Sequence, residues 1–291
     1  MSANEPRQTR AEQREATREK ARQLREASAR KERNKSTTIR VSVVAGILVV
    51  VGLIGLTIFS GINQNNAVSG GPANLLYNSG IKIGANLEAY TKTQTPAPVP
   101  TATSAATGKV PNIVIYLDYQ CPICGMFEAG NVEQLRSWVK TGAATLEIHP
   151  ISFLDGRGSP NTYSSRAANA ALCVANYSPN QFFDFNAALF SHQPTEGTPG
   201  PENPELIQRA NEVKVLNQDK IANCINNKTY GKWLADTTTK VLDPSYKVAG
   251  ASFGVTGTPT IVVNGNQYTW NTQADLTSAA RFAQWVQTAM K

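Results

Sequence analysis

A run of apolar residues, Ile113 to Leu117, is followed within four residues by Cys121-Pro122-Ile123-Cys124, and an amphipathic stretch comes directly after. The first reads as a strand buried on both faces. The last reads as a helix reaching Val139, because Phe127, Val132, Leu135 and Trp138 recur at helical spacing and Gly142 supplies a stop. Two thiols at a strand-to-helix junction constrain this chain more than any other feature. Cys121 falls at the helix N-terminus, where unpaired N–H groups and the positive end of the dipole favour thiolate over thiol, and its sulfur is expected to be exposed. Cys124, one turn in, is shielded by the helix and suits a resolving role. Pro122 sits at the first helical position, where a missing N–H costs nothing. Gly130 is at odds with the helix middle.

This spacing points to disulfide exchange. Two other readings of a C-x-x-C pair fit less well. A zinc site needs further ligands, but Cys173 and Cys224 stand 51 residues apart and the only histidines are His149 and His192, which is poor ligand spacing. An inert structural disulfide with a two-residue spacer at a helix N-terminus would be strained, a property of redox-active pairs. No metal or organic cofactor is required.

Thr145 to Ile151 alternates, with Leu146 and Ile148 on one face, so strand, C-x-x-C helix and second strand form a right-handed β-α-β unit with a parallel sheet. From about 160 to 245 the pattern turns helical, with candidates at Ser164 to Tyr177, Asn180 to His192, Asn203 to Val213, Gln218 to Asn226 and Tyr230 to Leu242. Thr260 to Val263 and Asn266 to Thr269 then flank Asn264-Gly265, a type I′ hairpin signal. A single helix from Leu276 to Met290, burying Phe282, Val286 and Met290, closes the chain. The expected class is α/β with an inserted helical domain, over residues 109–291.

Ahead of it, Val41 to Phe59 is apolar except for Ser42, Thr57 and glycines, and at helical rise reaches about 28 Å, one crossing of the hydrocarbon core. A single transmembrane signal anchor is therefore expected at 41–60. The run is longer than the apolar core of a cleaved signal peptide, and no A-x-A-like exit comes after it. Residues 1–40 carry twelve Lys and Arg against six Glu, so +6 of the chain's formal +7 precedes the span. That keeps the tail cytoplasmic and exports the remainder of the chain, as a single-pass protein of the cell membrane. The exported part is close to neutral, which argues against nucleic acid as a partner. Residues 61–108, rich in Asn, Gly, Ser, Thr, Ala and Pro, read as a tether with one short strand near 81–83.

The run Tyr116-Leu117-Asp118-Tyr119-Gln120-Cys121-Pro122-Ile123-Cys124, with Gly257-Thr258-Pro259-Thr260 about 130 residues later, resembles the DsbA-like branch of the thioredoxin superfamily. His149 to Asp155 and Tyr163 to Ala167 extend the resemblance to the membrane-anchored actinobacterial members. It implies a thioredoxin fold with a helical insertion, Cys121 as nucleophile, Cys124 as resolving thiol and Pro259 as a cis-proline facing them. Thr258 would then offer its backbone to an extended substrate. Pro122, Ile123 and Asp118 are the immediate neighbours.

Two departures qualify it. The buried acid of many thioredoxin-fold enzymes lies six residues before the nucleophile, where this chain has Ile115. Asp118 matches the DsbA-like pattern instead, either capping the loop or moving a proton. The histidine between the cysteines of strongly oxidising members is replaced by Pro122-Ile123, which leaves the potential open.

Cys173 and Cys224 fall on different helices, and in an oxidising compartment a structural disulfide is the economical reading, with a second redox relay as the alternative. The function expected is introduction of disulfides into exported proteins that carry cysteine thiols. A membrane oxidase of the DsbB or vitamin K epoxide reductase type would restore the disulfide. A reductase or isomerase on the same scaffold, or a noncatalytic module, is the alternative.

Overall fold

The computed structural model describes residues 70–73, 80–91, 110–157 and 160–290, all within one compact unit, Gln64–Lys291. The apolar run 41–60 and the basic tail lie outside the described residues, as does most of the tether. Among the described residues no helix is long and apolar enough to cross a membrane.

Five strands form one mixed sheet: β1 (Ile81–Ile83), β2 (Asn112–Leu117), β3 (Thr145–Pro150), β4 (Thr260–Val263) and β5 (Asn266–Gln267), in the order β1-β3-β2-β4-β5. Only β2 and β3 run parallel, joined through α1 (Pro122–Lys140) as a β-α-β unit. The apolar content of β2 stems from its central place, since a strand covered on both faces has no side to give to polar residues. Ile113, Ile115 and Leu117 face the main core with Leu146, Ile148, Ile261 and Val263, where α1 supplies Phe127, Leu135 and Val139. Val114, Tyr116 and Val262 face a smaller second core with Val241, Val248 and Val255.

Gly142, at φ +73°, ends α1, and the N–H of Ala143 returns to the Trp138 carbonyl at 2.8 Å. Gly130, out of place by propensity, has a steric reason: a Cβ there would overlap the carbonyl of Thr277. Asn264 and Gly265 both adopt positive φ, +49° and +84°, as a type I′ turn between β4 and β5 requires.

Between β3 and β4 lie α2 (Tyr163–Tyr177), α3 (Phe182–Ser191), α4 (Asn203–Glu212), α5 (Gln218–Asn226) and α6 (Gly231–Leu242). The central member is α2, buried along most of its length, with alanines at 167, 168, 170 and 171 admitting close neighbours. Cys173 of α2 and Cys224 of α5 are disulfide-bonded, with Cα atoms 5.8 Å apart.

Three expectations change. The closing helix is two helices, α7 (Gln273–Thr277) and α8 (Ala279–Ala289), because Ser278 takes extended ψ (108°) and caps α8 by accepting the Arg281 N–H. Phe282 and Val286 are buried on α8, but Met290 is only half-buried at its C-cap. The second hairpin strand ends at Gln267, although the Tyr268 N–H still reaches the Ile261 carbonyl at 2.8 Å. The fold also begins before residue 109. Ile81–Ile83 pairs antiparallel with β3, and the Ala89 N–H donates to Asn180 Oδ1 at 3.1 Å, so this part of the tether is built into the domain.

Candidate active site

Strand β2 ends at Leu117, and Asp118, Tyr119 and Gln120 turn the chain into α1. Cys121 is the N-cap (φ −72°, ψ 117°) and Pro122 the first helical residue. The Cys121 N–H donates to the Asp118 carbonyl, and the Gly125 N–H donates back to the Cys121 carbonyl, both at 3.1 Å. Both cysteines are free thiols. Cys121 is not exposed as expected: it retains 6 % of its accessible surface and Cys124 retains 3 %. The reason is the loop before β4, which closes over it. The Thr258-Pro259 peptide is cis, and the Cys121 thiol donates to the Thr258 carbonyl at 3.3 Å. Pro122 remains exposed and Ile123 half-exposed beside the sulfur.

The two thiols are electrostatically distinct. Cys121 is lowered to about 6, first by hydrogen bonding from the Cys124 thiol, then by the Thr258 side chain and the backbone N–H groups of Cys124 and Ile123, against burial. The Cys124 thiol leads these causes, ahead of the backbone N–H groups at the helix start. Burial pushes Cys124 well above its ordinary value, and the charge of Cys121 adds to this.

Asp118 is buried rather than solvated. Its carboxylate accepts from the Gln120 N–H at 2.8 Å, the Leu154 N–H at 2.9 Å and Ser164 Oγ at 2.6 Å, tying the cysteine loop to the chain after β3 and to α2. Burial nevertheless lifts it to about 7, which these hydrogen bonds only moderate. One helical turn beyond Cys124, Glu128 is also raised to about 7 by burial, moderated by the Asn186 side chain and Arg136. Asn186 of α3 joins it to Tyr119: its Nδ2 donates to Glu128 at 2.9 Å and its Oδ1 accepts from the Tyr119 hydroxyl at 3.0 Å. Among the described residues no cluster of His, Cys, Asp and Glu could hold a metal ion. His149 pairs with Glu147 at 2.8 Å and stacks on Tyr116, while His192 is exposed at the end of α3.

A family model described as thioredoxin matches residues 106–280. The chain belongs to the thioredoxin family. Among solved structures it is similar to the reduced disulfide bond oxidoreductase DsbG of Mycobacterium tuberculosis, at 28% identity and TM-score 0.52, covering 73% of this chain and 94% of that one. It is similar also to oxidised DsbA of M. tuberculosis, at 29% identity and TM-score 0.51, covering 72% and 99%. The thiol-disulfide oxidoreductase MdbA of Actinomyces oris, at 19% identity, TM-score 0.54 and coverage of 78% and 97%, shares the fold. No curated protein sequence matches the chain. The protein is a DsbA-like thiol-disulfide oxidoreductase.

In this thioredoxin-family site the structure brings together Cys121, Pro122, Ile123, Cys124, Thr258 and Pro259, with Asp118 beneath them. Sequence reasoning missed Glu128 and Asn186. A signal for the first existed, since a carboxylate four residues after Cys124 lies on the same helical face. Asn186 carries no comparable mark, because its partners are 58 and 67 residues away in the chain.

Proposed function

We propose that this oxidoreductase introduces disulfide bonds into exported proteins through Cys121 and Cys124. A substrate thiolate attacks Cys121 Sγ of the disulfide form; the bond to Cys124 breaks and Cys124 leaves with the electron pair, taking a proton. The substrate's second thiol, deprotonated, attacks its own sulfur in the mixed disulfide and expels Cys121 as thiolate. The substrate loses two electrons and two protons; one proton goes to Cys124, the other to solvent, and the enzyme ends reduced with Cys121 as thiolate in equilibrium with its thiol. An extended substrate would lie along the Thr258-Pro259 backbone, with Pro122 and Ile123 forming the exposed rim.

The depression of Cys121 to about 6 carries the direction of this reading. A stabilised thiolate makes Cys121 the better leaving group and favours the reduced enzyme, so electrons flow toward it from the substrate. The Cys173–Cys224 disulfide fits an oxidising compartment. The apolar run 41–60 after a basic tail supports a single-pass anchor with the catalytic domain outside the cytoplasm, and reoxidation by a DsbB-type or vitamin K epoxide reductase-type membrane partner completes the cycle.

Equilibration with glutathione tests the direction. A potential well above thioredoxin's value of about −270 mV is expected, and one at or below it would make the enzyme a reductase. A Cys124→Ala protein should accumulate mixed disulfides through Cys121. Adducts trapped on Cys173 instead would overturn the assignment of the nucleophile.

A further inference from the structure

The segment directly after α3 brings the helical insertion to the main chain of the cysteine loop. Gln193, half-buried there, spends both protons of its amide on main-chain carbonyls of the loop: Nε2 donates to the Tyr119 carbonyl at 3.1 Å and to the Cys121 carbonyl at 2.9 Å. Between those two residues, Gln120 makes the reciprocal contact. Its Nε2 donates to the Thr198 carbonyl at 2.9 Å and to the Thr195 carbonyl at 3.4 Å. The first turn of α1 is shaped to receive this amide, since a Cβ on Gly125 would overlap Gln193 Oε1. Three observations thus converge on one side chain: its two donated bonds, the glycine under it and the returning bonds from Gln120.

We propose that Gln193 is a positioning residue for Cys121, through which the helical insertion sets the reactivity of the sulfur. This rests on the reading of Cys121 as the sulfur that forms the mixed disulfide with substrate. The mechanism is local. A carbonyl short of donors leaves the negative end of its dipole poorly compensated; the Cys121 carbonyl, on the N-cap that carries the sulfur, takes the Gln193 amide in addition to the Gly125 N–H, and the Tyr119 carbonyl lies two residues before it. Gln193 neutralises both and fixes the N-cap backbone, so that the sulfur stays aligned with the N–H groups of Ile123 and Cys124 and with Thr258.

The test is the pH dependence of Cys121 alkylation by iodoacetamide, resolved by site with mass spectrometry, in the full-length reduced protein. Gln193→Ala should slow alkylation at pH 6 by about threefold, the fall in thiolate fraction for a midpoint moving from about 6 to about 6.7, with no change once the thiol is fully ionised. Gln193→Glu should move the midpoint further in the same direction, because a carboxylate adds a third negative group and no donor. Gly125→Ala leaves the glutamine in the chain but displaces its amide, and should shift the profile in the same direction; it carries the test if Gln193→Ala does not fold. A depressed wild-type midpoint that both Gln193→Ala and Gly125→Ala leave unmoved would overturn the role of Gln193 alone. A wild-type midpoint near the free-cysteine value of about 8.5 would instead overturn the assignment of Cys121.

Discussion

The Cys121 sulfur lies 3.3 Å from the carbonyl oxygen of Thr258, a residue 137 positions later in the chain. That carbonyl accepts from the thiol and offers nothing to the thiolate, so it opposes ionisation, whereas the Cys124 thiol and the amides of 123 and 124 favour it. The sulfur is thus held between a group that prefers it protonated and groups that prefer it charged. In the proposed reaction, a substrate reaching Cys121 would meet the Thr258 backbone as well.

Because hydrogen bonding from Cys124 leads the causes that depress Cys121, the identity of residue 124 should govern its titration. Cys124→Ala removes the donor, and the alkylation midpoint of Cys121 should rise from about 6 by one unit or more, toward the free value of about 8.5. Cys124→Ser keeps a hydroxyl donor and should hold the midpoint close to that of the wild type. Equal midpoints in the two variants would return the main role to the helix dipole.

Asp118 gathers donors from three segments, so its removal strands them. Asp118→Ala leaves the N–H groups of Gln120 and Leu154 and the Ser164 hydroxyl without their acceptor in a buried site. At about 1–3 kcal/mol for each buried unsatisfied group, a loss of about 3 kcal/mol or more is expected in urea unfolding. Ser164→Ala alone should cost about 1 kcal/mol. In a double-mutant cycle the pair should couple by about 1 kcal/mol; additivity would mean that the Ser164 bond contributes nothing.

Local signals made most of this fold readable. The apolar run of β2, Pro122 at the helix start, Gly142 at its end and Asn264-Gly265 in the turn each act over a few residues, and the elements stand where those residues demand. The break at Ser278 was hidden because no Gly or Pro marks it and Phe282, Val286 and Met290 recur at four-residue spacing after it, while the Thr272–Asp275 capping box that starts α7 is a weaker signal. In the site, the cysteines and the Thr258-Pro259 pair are legible as motifs. The burial of Cys121, the amide of Gln193 and the Glu128–Asn186–Tyr119 chain depend on packing between segments far apart in sequence, and no local pattern encodes them.

The Cys173–Cys224 bridge closes a loop of 51 residues between two helices of the insertion. In the chain-entropy picture this contributes about 4 kcal/mol by restricting the unfolded chain. The Cys173→Ala/Cys224→Ala protein should unfold at a correspondingly lower denaturant midpoint while the alkylation profile of Cys121 stays unchanged. A changed profile would mean that the bridge communicates with the active site, as a redox relay would.

Gly130 offers a test in which two effects have opposite signs. Helix propensity alone makes Gly130→Ala stabilising by about 1 kcal/mol. The close approach of the Thr277 carbonyl reverses this, because the new methyl must displace backbone between α7 and α8. Net destabilisation of about 1–3 kcal/mol, the usual cost of overpacking, is expected in urea unfolding. A gain in stability would mean that α7 moves aside freely.

Glu128 should make stability depend on pH in a direction opposite to that of a surface carboxylate. Its carboxyl rises from an ordinary value of 4.5 to about 7 on folding, first because of burial. The folded state therefore binds the proton more tightly than the unfolded chain. This contribution is fully present below about 4.5 and is lost as pH rises through about 7. Between pH 5 and pH 8 the loss amounts to about 2–3 kcal/mol. Glu128→Gln keeps an acceptor for Asn186 Nδ2 and has no proton to lose. Its unfolding free energy should fall less over that interval than the wild type's, by that amount, and the two proteins should diverge most above pH 7. Parallel curves in urea unfolding at pH 5 and pH 8 would mean that the carboxyl stays ionised throughout and finds its compensation in Arg136 and Asn186.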